Sequence, residues 1–237
     1  MNIATLLHKP LNFAVEAVLH RQYLRQKPIL FNERPVEYQY VFRQLIRLCP
    51  KTILDAGTGK SALPSLLKTC GFAVTAIDNK SAYWKNGFSN WHYHIIQDDI
   101  LRPALQGPFD LVLCISVLEH IPEHALAVAN LMRLARPGGH VILTFPYHEY
   151  RYCPNVYEAR DSDVKTKPNF ITQAFSRKEV DLWLRQTGST LIDQEYWRFY
   201  TGEYWTTGAK LTRPERATDA TPHQIACMLF ETKNSGI

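Results

Sequence analysis

Between residues 50 and 146 the chain alternates short apolar runs with helical stretches, and this alternation restricts the fold more than any other feature. "TILDAG" (52–57), "FAVTAID" (72–78), "YHIIQDD" (93–99), "FDLVLCIS" (109–116) and "HVILTFP" (140–146) read as five strands. Helices are expected over residues 61–70 and about 123–135, the second ended by "RPGG". Alternation of this kind calls for a parallel sheet covered by helices on both faces. The C-terminal part breaks the rhythm. "SRKEVDLWLRQTG" is a helix, with Ser176 as N-cap and Glu179 in capping-box position. "STLIDQEYW" and "HQIACMLFET" then read as two strands joined by a long, loop-like connection with no helix. Such a pair closes the sheet as an antiparallel hairpin.

A chain of 237 residues, 46% hydrophobic and 21% charged, has room for one sizeable α/β core. The net charge of +5 is scattered, without the Lys/Arg run that marks a nucleic-acid tract. Cys49, Cys70, Cys114, Cys153 and Cys227 form no C-x-x-C pair, which excludes a zinc knuckle or a dithiol redox motif. Reduced thiols and a cytoplasmic location are expected. No apolar run approaches the ~20 residues that span a membrane, and the N-terminus, interrupted by His8, Lys9 and Pro10, does not read as a signal peptide. Leu11, Ala14, Val15, Val18 and Leu19 follow helical spacing, with Pro10 in the first turn and Pro28 beyond the end. A second helix is expected from about Pro35 to Leu48, burying Tyr38, Val41, Phe42, Leu45 and Leu48. Residues 1–48 thus read as a helical extension packed on the core, its first helix also offering a dimer or partner contact. Residues 49–237 read as the ligand-binding domain.

"LDAGTGKS" (54–61) is the stretch that names a ligand class. A phosphate-binding loop ending in "GKS" needs glycine where Leu54 stands, and Asp55 would repel phosphate. The dinucleotide fingerprint fits better, through Gly57, Gly59, Ala62 and an acid, Asp78, about 20 residues on; it leaves Asp55 without a task. S-adenosylmethionine has a cationic ammonium and sulfonium and no phosphate. Asp55 suits its amino-acid part, the glycines admit its close approach to backbone, and Asp78 suits its ribose hydroxyls. In "IIQDDIL" Asp99 suits the adenine amino group, with Ile100 near the ring and Asp98 as the alternative if the register differs by one.

"ILDAGTGKSALPSLL", "VTAIDN", "IIQDDIL", "FDLVLCISVLEHI" and "LARPGGHVILTFP", in that order, resemble the successive motifs of class I S-adenosylmethionine-dependent methyltransferases. The resemblance covers about residues 50–146, and the terminal hairpin matches that fold's antiparallel seventh strand. It implies a Rossmann-like, seven-stranded, mostly parallel sheet with an antiparallel last strand. The family's acidic glycine motif maps onto Asp55, Ala56, Gly57, Thr58 and Gly59, with Ser61 at the third glycine. Its ribose acid maps onto Asp78, beside Asn79, and its adenine acid onto Asp99. Cys114, Ile115 and Ser116 would line the methionine end. S-adenosylhomocysteine would be the product.

The acceptor belongs beyond the carboxyl ends of the parallel strands. Two segments, about 147–175 and 196–222, are expected to form lids there, with Tyr147, Tyr150, Tyr200, Tyr204, Trp205 and Glu119 as pocket residues. His120 and His148 are the candidate bases for an oxygen acceptor; a carboxylate or thiolate acceptor needs none. Some family members hold magnesium with an E-x-x-E-H group, but its first position here is Ser116, and no metal is assigned. The place after strand four reads "CISV", lacking both the N/D-P-P-Y/F sequence and the Pro-Cys nucleophile of DNA-modifying relatives. The expectation is O-methylation of a small molecule, a saccharide or secondary metabolite. An RNA or base methyltransferase, a non-catalytic cofactor-binding protein and an NAD-dependent oxidoreductase are the alternatives.

Overall fold

The computed structural model describes residues 3–25, 32–79, 89–162, 164 and 168–234. The chain divides into two compact units, Met1–Asn32 and Glu33–Ile237. The first contains α1 (Ile3–Leu24), which starts earlier than expected and carries Pro10 inside rather than in its first turn. Phe13, Val15, Val18 and Leu19 are exposed. Pro28 lies outside the described residues.

The second unit begins with α2 (Arg34–Leu48). The boundary therefore falls at residues 32 and 33, not at 48. The reason is visible in the packing: Val36, Tyr40, Val41 and Leu45 of α2 are buried in the core, so α2 is part of the domain. The remaining elements are β1 (Thr52–Ala56), α3 (Leu63–Thr69), β2 (Ala73–Asp78), β3 (Ile96–Gln97), β4 (Phe109–Ile115), α4 (His124–Leu134), β5 (Ala135–Pro146), α5 (Arg177–Thr187), β6 (Thr190–Tyr200), β7 (Lys210–Ala217) and β8 (Ile225–Glu231). They form one sheet in the order β3-β2-β1-β4-β5-β8-β6-β7. The pairs from β3 to β5 are parallel, and β8 runs antiparallel to both β5 and β6.

Side chains alternate across the sheet with the two-residue period of a strand. Val112 and Cys114 of β4, Leu143 and Phe145 of β5 and Met228 of β8 pack on one face with α4 and α5. Leu111, Leu113, Ile142 and Leu229 pack on the other with α2 and α3. The α5 capping box is present as expected: Ser176 accepts from Lys178 N, Glu179 accepts from Ser176 N, and Gly188 closes the helix at φ +65°.

Among the described residues the sheet has eight strands, not seven. β7 lies within the segment 196–222 expected to be a lid, and β6 runs on to Tyr200. Among the described residues β7 pairs with β6 alone. Its sequence, "KLTRPERA", carries four charges and Pro214 and shows no apolar alternation, as suits an edge strand protected against further pairing. "YHIIQDD" yields only the two-residue β3 at the opposite edge.

Trp183 is the largest fully buried side chain among the described residues. It packs edge-on against Phe145 and Phe175 and donates from Nε1 to His124 Nδ1 at 3.1 Å. Trp183→Ala should lower unfolding stability by about 3–5 kcal/mol, measured by urea denaturation followed by circular dichroism.

Candidate active site

The turn after β1 is built on two glycines in the left-handed region, Gly57 at φ +78° and Gly59 at φ +57°. A Cβ at Gly57 would lie 2.5 Å from the Val117 side chain, so only bare backbone fits there. Gly57 N donates to Ile77 O (2.9 Å) and Gly59 N to Asp78 Oδ2 (2.8 Å), which ties the turn to the end of β2. Asn90 Nδ2 donates to Gly59 O and Ser61 O (3.0 and 2.8 Å). Ser61, standing where the resemblance expects glycine, has its own use. Its Oγ lies 2.7 Å from Tyr38 OH and accepts from Leu63 N, joining α2 to the turn.

A cavity of about 740 Å³ opens beyond the carboxyl ends of β1, β2 and β4. Gly57, Thr58, Gly59, Asp78 and Asn79 line one side, Asp99 and Ile100 the next. Ser116, Val117 and His120 follow β4 along its edge, facing Arg34 and Tyr38 of α2 and Asn169, Phe170 and Ile171 of the segment before α5.

The neighbouring acids divide their work. Asp99 lines the cavity, accepting from Leu101 N (2.8 Å) and Asn79 Nδ2 (3.0 Å). Asp98 points into the fold, where it accepts from the backbone N–H groups of Asp99, Ala104 and Leu105. Burial raises its pKa, but these three donors outweigh that and hold the carboxyl below its usual range. Asp98 is thus a structural residue, which corrects its place among the cofactor-binding candidates. Asp55 and Ala56 are buried beneath the turn. Thr58 Oγ1 donates to Asp55 Oδ2 (2.9 Å), and burial pushes this carboxyl up to about 6, against the pull of Thr58 and Arg34. Cys114 and Ile115 are buried in the core on opposite faces, so of the stretch 114–116 the cavity receives Ser116.

Ser116 itself adopts φ +49°. Its strained backbone is held from two directions: Ser116 N donates to Thr144 O and Oγ1, each at 3.0 Å, and Ser116 Oγ donates to Glu37 Oε1. Glu37 is fully buried and also accepts from Thr144 Oγ1 (2.6 Å) and Arg34 Nη1 (3.0 Å). Arg34 Nη1 reaches on to Ile115 O (3.1 Å). Arg34, Tyr38 and Glu37 escaped sequence reasoning because α2 was set apart from the domain. Phe170 and Ile171 fell within the expected lid but carried no signal of their own.

The two candidate histidines occupy different places. His120 lines the cavity, with Nδ1 2.8 Å from Ile171 O and its ring edge-on to Phe170 at 4.9 Å. A carbonyl only accepts, so Nδ1 carries the proton and Nε2 is the basic nitrogen. Burial lowers its pKa, and Arg34 adds to the effect. His148 lines a second cavity of about 400 Å³ with Tyr150. Its Nδ1 accepts from Tyr150 N and Arg151 N, and its Nε2 faces Glu203 at 3.0 Å. The aromatic residues expected as its walls, Tyr147, Tyr150, Tyr200, Tyr204 and Trp205, do not line the first cavity. Tyr147 is buried and stacked on Tyr196, and Tyr200 and Trp205 pack together at 5.1 Å. Tyr204 lies beside His148. Glu119 is buried behind His120. Among the described residues, no three His, Cys, Asp or Glu side chains group as a metal site.

Residues 33–204 match the family described as methyltransferase domain. The chain belongs to that family. This methyltransferase is 31% identical over 140 residues to the ubiquinone biosynthesis O-methyltransferase of Pseudomonas paraeruginosa, covering 54% of the chain and 59% of that relative. It spans less than two thirds of the length of the first curated relatives it matches. The protein of the same name from Xylella fastidiosa is 28% identical over 201 residues, 79% of this chain and 78% of the other. Among solved structures, the magnesium protoporphyrin IX methyltransferase of Synechocystis, with bound S-adenosylhomocysteine, superposes with a TM-score of 0.52 at 15% identity, covering 97% of this chain and all of the other. The 1,6-didemethyltoxoflavin N1-methyltransferase of Burkholderia thailandensis gives 0.51 at 15% identity, over 98% and 89%. The class I assignment holds, and the cofactor is S-adenosylmethionine. The cavity fits it: the turn presents bare backbone, and Asp78 and Asp99 line it from neighbouring strand ends.

Asp78→Ala should weaken S-adenosylhomocysteine binding by about 2 kcal/mol, roughly 30-fold, in calorimetric titration. Asp98→Ala should instead lower the melting temperature, because three backbone donors lose their acceptor.

Proposed function

We propose that this methyltransferase methylates a hydroxyl oxygen on a small aromatic acceptor, with His120 as general base. The observation that carries this reading is the setting of His120. It stands at the cavity wall with its tautomer set by Ile171 O, its ring against Phe170, and Ile121 and Pro122 beside it. A wall this apolar suits a flat ring better than a saccharide, whose many hydroxyls would need partners. The relatives named as ubiquinone biosynthesis O-methyltransferases support the same direction.

S-adenosylmethionine, when bound, supplies an electrophilic methyl group. Asp78 would hold its ribose, Asp99 its adenine, and the Gly57–Gly59 backbone and Arg34 its amino-acid end. The chain's further contribution is alignment and proton removal. His120 Nε2 takes the acceptor hydroxyl proton, and the oxygen's electron pair is then available for attack. Because burial holds the His120 pKa below its ordinary 6.5, the ring is neutral and competent at pH 7.

The test is S-adenosylhomocysteine production from a panel of phenols, catechols and monosaccharides. Turnover confined to the aromatic hydroxyl compounds supports the reading, and turnover of sugars alone overturns it. His120→Ala should lower kcat by about 10²–10⁴-fold with cofactor affinity unchanged. In the wild type, kcat should fall with acidification through a midpoint below 6.5, as the ring becomes protonated.

A further inference from the structure

The second cavity, of about 400 Å³, opens where the connections of the antiparallel half of the sheet meet. Pro146 at the end of β5 pairs with Ile225 at the start of β8, which sets the residues after one strand beside those before the other. His148 and Glu149 thus share a wall with Asp219, Thr221 and His223 of the β7–β8 connection, and Glu203 of the β6–β7 connection completes it. This cavity has no lining residue in common with the first.

Its wall is rich in acceptors. His148 Nδ1 accepts from Tyr150 N and Arg151 N, so its proton sits on Nε2, 3.0 Å from Glu203 Oε1. His223 takes the opposite tautomer. Its Nδ1 lies 2.7 Å from Thr221 O, and a carbonyl only accepts, so Nδ1 carries the proton and Nε2 the lone pair. The residue is 4% exposed, and its Nε2 has no hydrogen-bond partner among the described residues. Buried acceptors are nearly always satisfied in native proteins, and an orphaned one calls for an explanation. Of the two ring nitrogens, only Nε2 is left for a ligand. Burial lowers the His223 pKa below its ordinary 6.5, so the ring is neutral at pH 7 and this nitrogen accepts.

Charge narrows the ligand further. Three acids line the cavity and no lysine or arginine does. Glu149 is paired with Arg177 and Glu203 with Arg151, whereas Asp219 belongs to no ion pair among the described residues. The Thr221 hydroxyl, a potential donor, is turned to Thr218 O. A ligand entering here meets lone pairs and acidic side chains. An anion would be repelled. A neutral hydroxyl would supply one donor and leave the charge unanswered. A primary ammonium brings three donors and a positive charge.

We propose that the second cavity is a binding site for a small primary amine, whose ammonium group donates to His223 Nε2 and is balanced by the acids around it. The experiment titrates the full chain at pH 7 with ethanolamine, choline and ethylene glycol, following the imidazole nitrogens by NMR. Choline keeps the charge and has no N–H, and ethylene glycol keeps the size and has no charge. Ethanolamine should shift the His223 Nε2 resonance saturably, and the other two should bind at least about tenfold more weakly. H223F keeps an aromatic ring beside Tyr147 and Tyr196 and removes the acceptor. It should weaken ethanolamine binding on the order of tenfold and leave S-adenosylhomocysteine affinity within about twofold of the wild type. The proposal is overturned if ethanolamine causes no saturable shift, if choline binds as well as ethanolamine, or if H223F binds ethanolamine as the wild type does. The comparison of the three probes needs no substitution, so the test survives a variant that fails to fold.

Discussion

The carboxylate of Glu37 is the interaction on which the site depends. It is fully buried, and its two oxygens accept from Arg34, Ser116 and Thr144. Those donors come from three places in the chain: the start of α2, the turn leaving β4 and the body of β5. An isolated carboxylate in such a position would cost several kcal/mol; surrounded by donors it becomes a fixed point. Removing one donor would leave charge uncompensated in a medium that screens it poorly. The network therefore holds α2 against the sheet, keeps Ser116 in its left-handed conformation and sets Arg34 at the cavity edge.

The sheet supplies the rest of the framework. Its two faces are sorted by strand alternation, with α4 and α5 on one side and α2 and α3 on the other. Because β1, β2 and β4 run parallel, their carboxyl ends meet along one edge, where the Gly57–Gly59 turn, Asp78 and Ser116 come together. Polar groups concentrate at this edge because the strands themselves leave no room for them. β4 is apolar from Leu111 to Ile115 and changes character at Ser116.

Much of this was legible in the residues. Glycines at 57 and 59 after an apolar run mark a turn that side chains would obstruct, and Asp78 closes the next strand on the same edge. Where the sequence misled, local pattern was silent about tertiary position. Asp98 and Asp99 are identical neighbours, and only the path of Ala104 and Leu105 back towards the sheet decides which one faces inwards. The tyrosines and tryptophans after β5 and in and after β6 looked like pocket walls, yet large aromatic surfaces are equally suited to packing within the fold: Tyr147 stacks on Tyr196, and Tyr200 meets Trp205 edge-on. β7 had no apolar alternation to announce it, since an edge strand is selected for charge. α2 read as an appendage because amphipathic spacing shows that a helix packs, not what it packs on.

The close approach of Gly57 to Val117 makes one mechanical piece of two segments distant in the chain. A Cβ on residue 57 would come within 2.5 Å of the Val117 methyl groups, so the turn that faces the cavity and the strip leading to His120 are packed without room for a methyl group between them. Displacement of either should register in the other as a change in shape, much as two gears share a tooth. Any lineage that enlarges residue 57 must first carve away residue 117 and also find a side chain tolerant of a φ of +78°. The space at residue 57 is thus set by a side chain sixty positions away in the sequence.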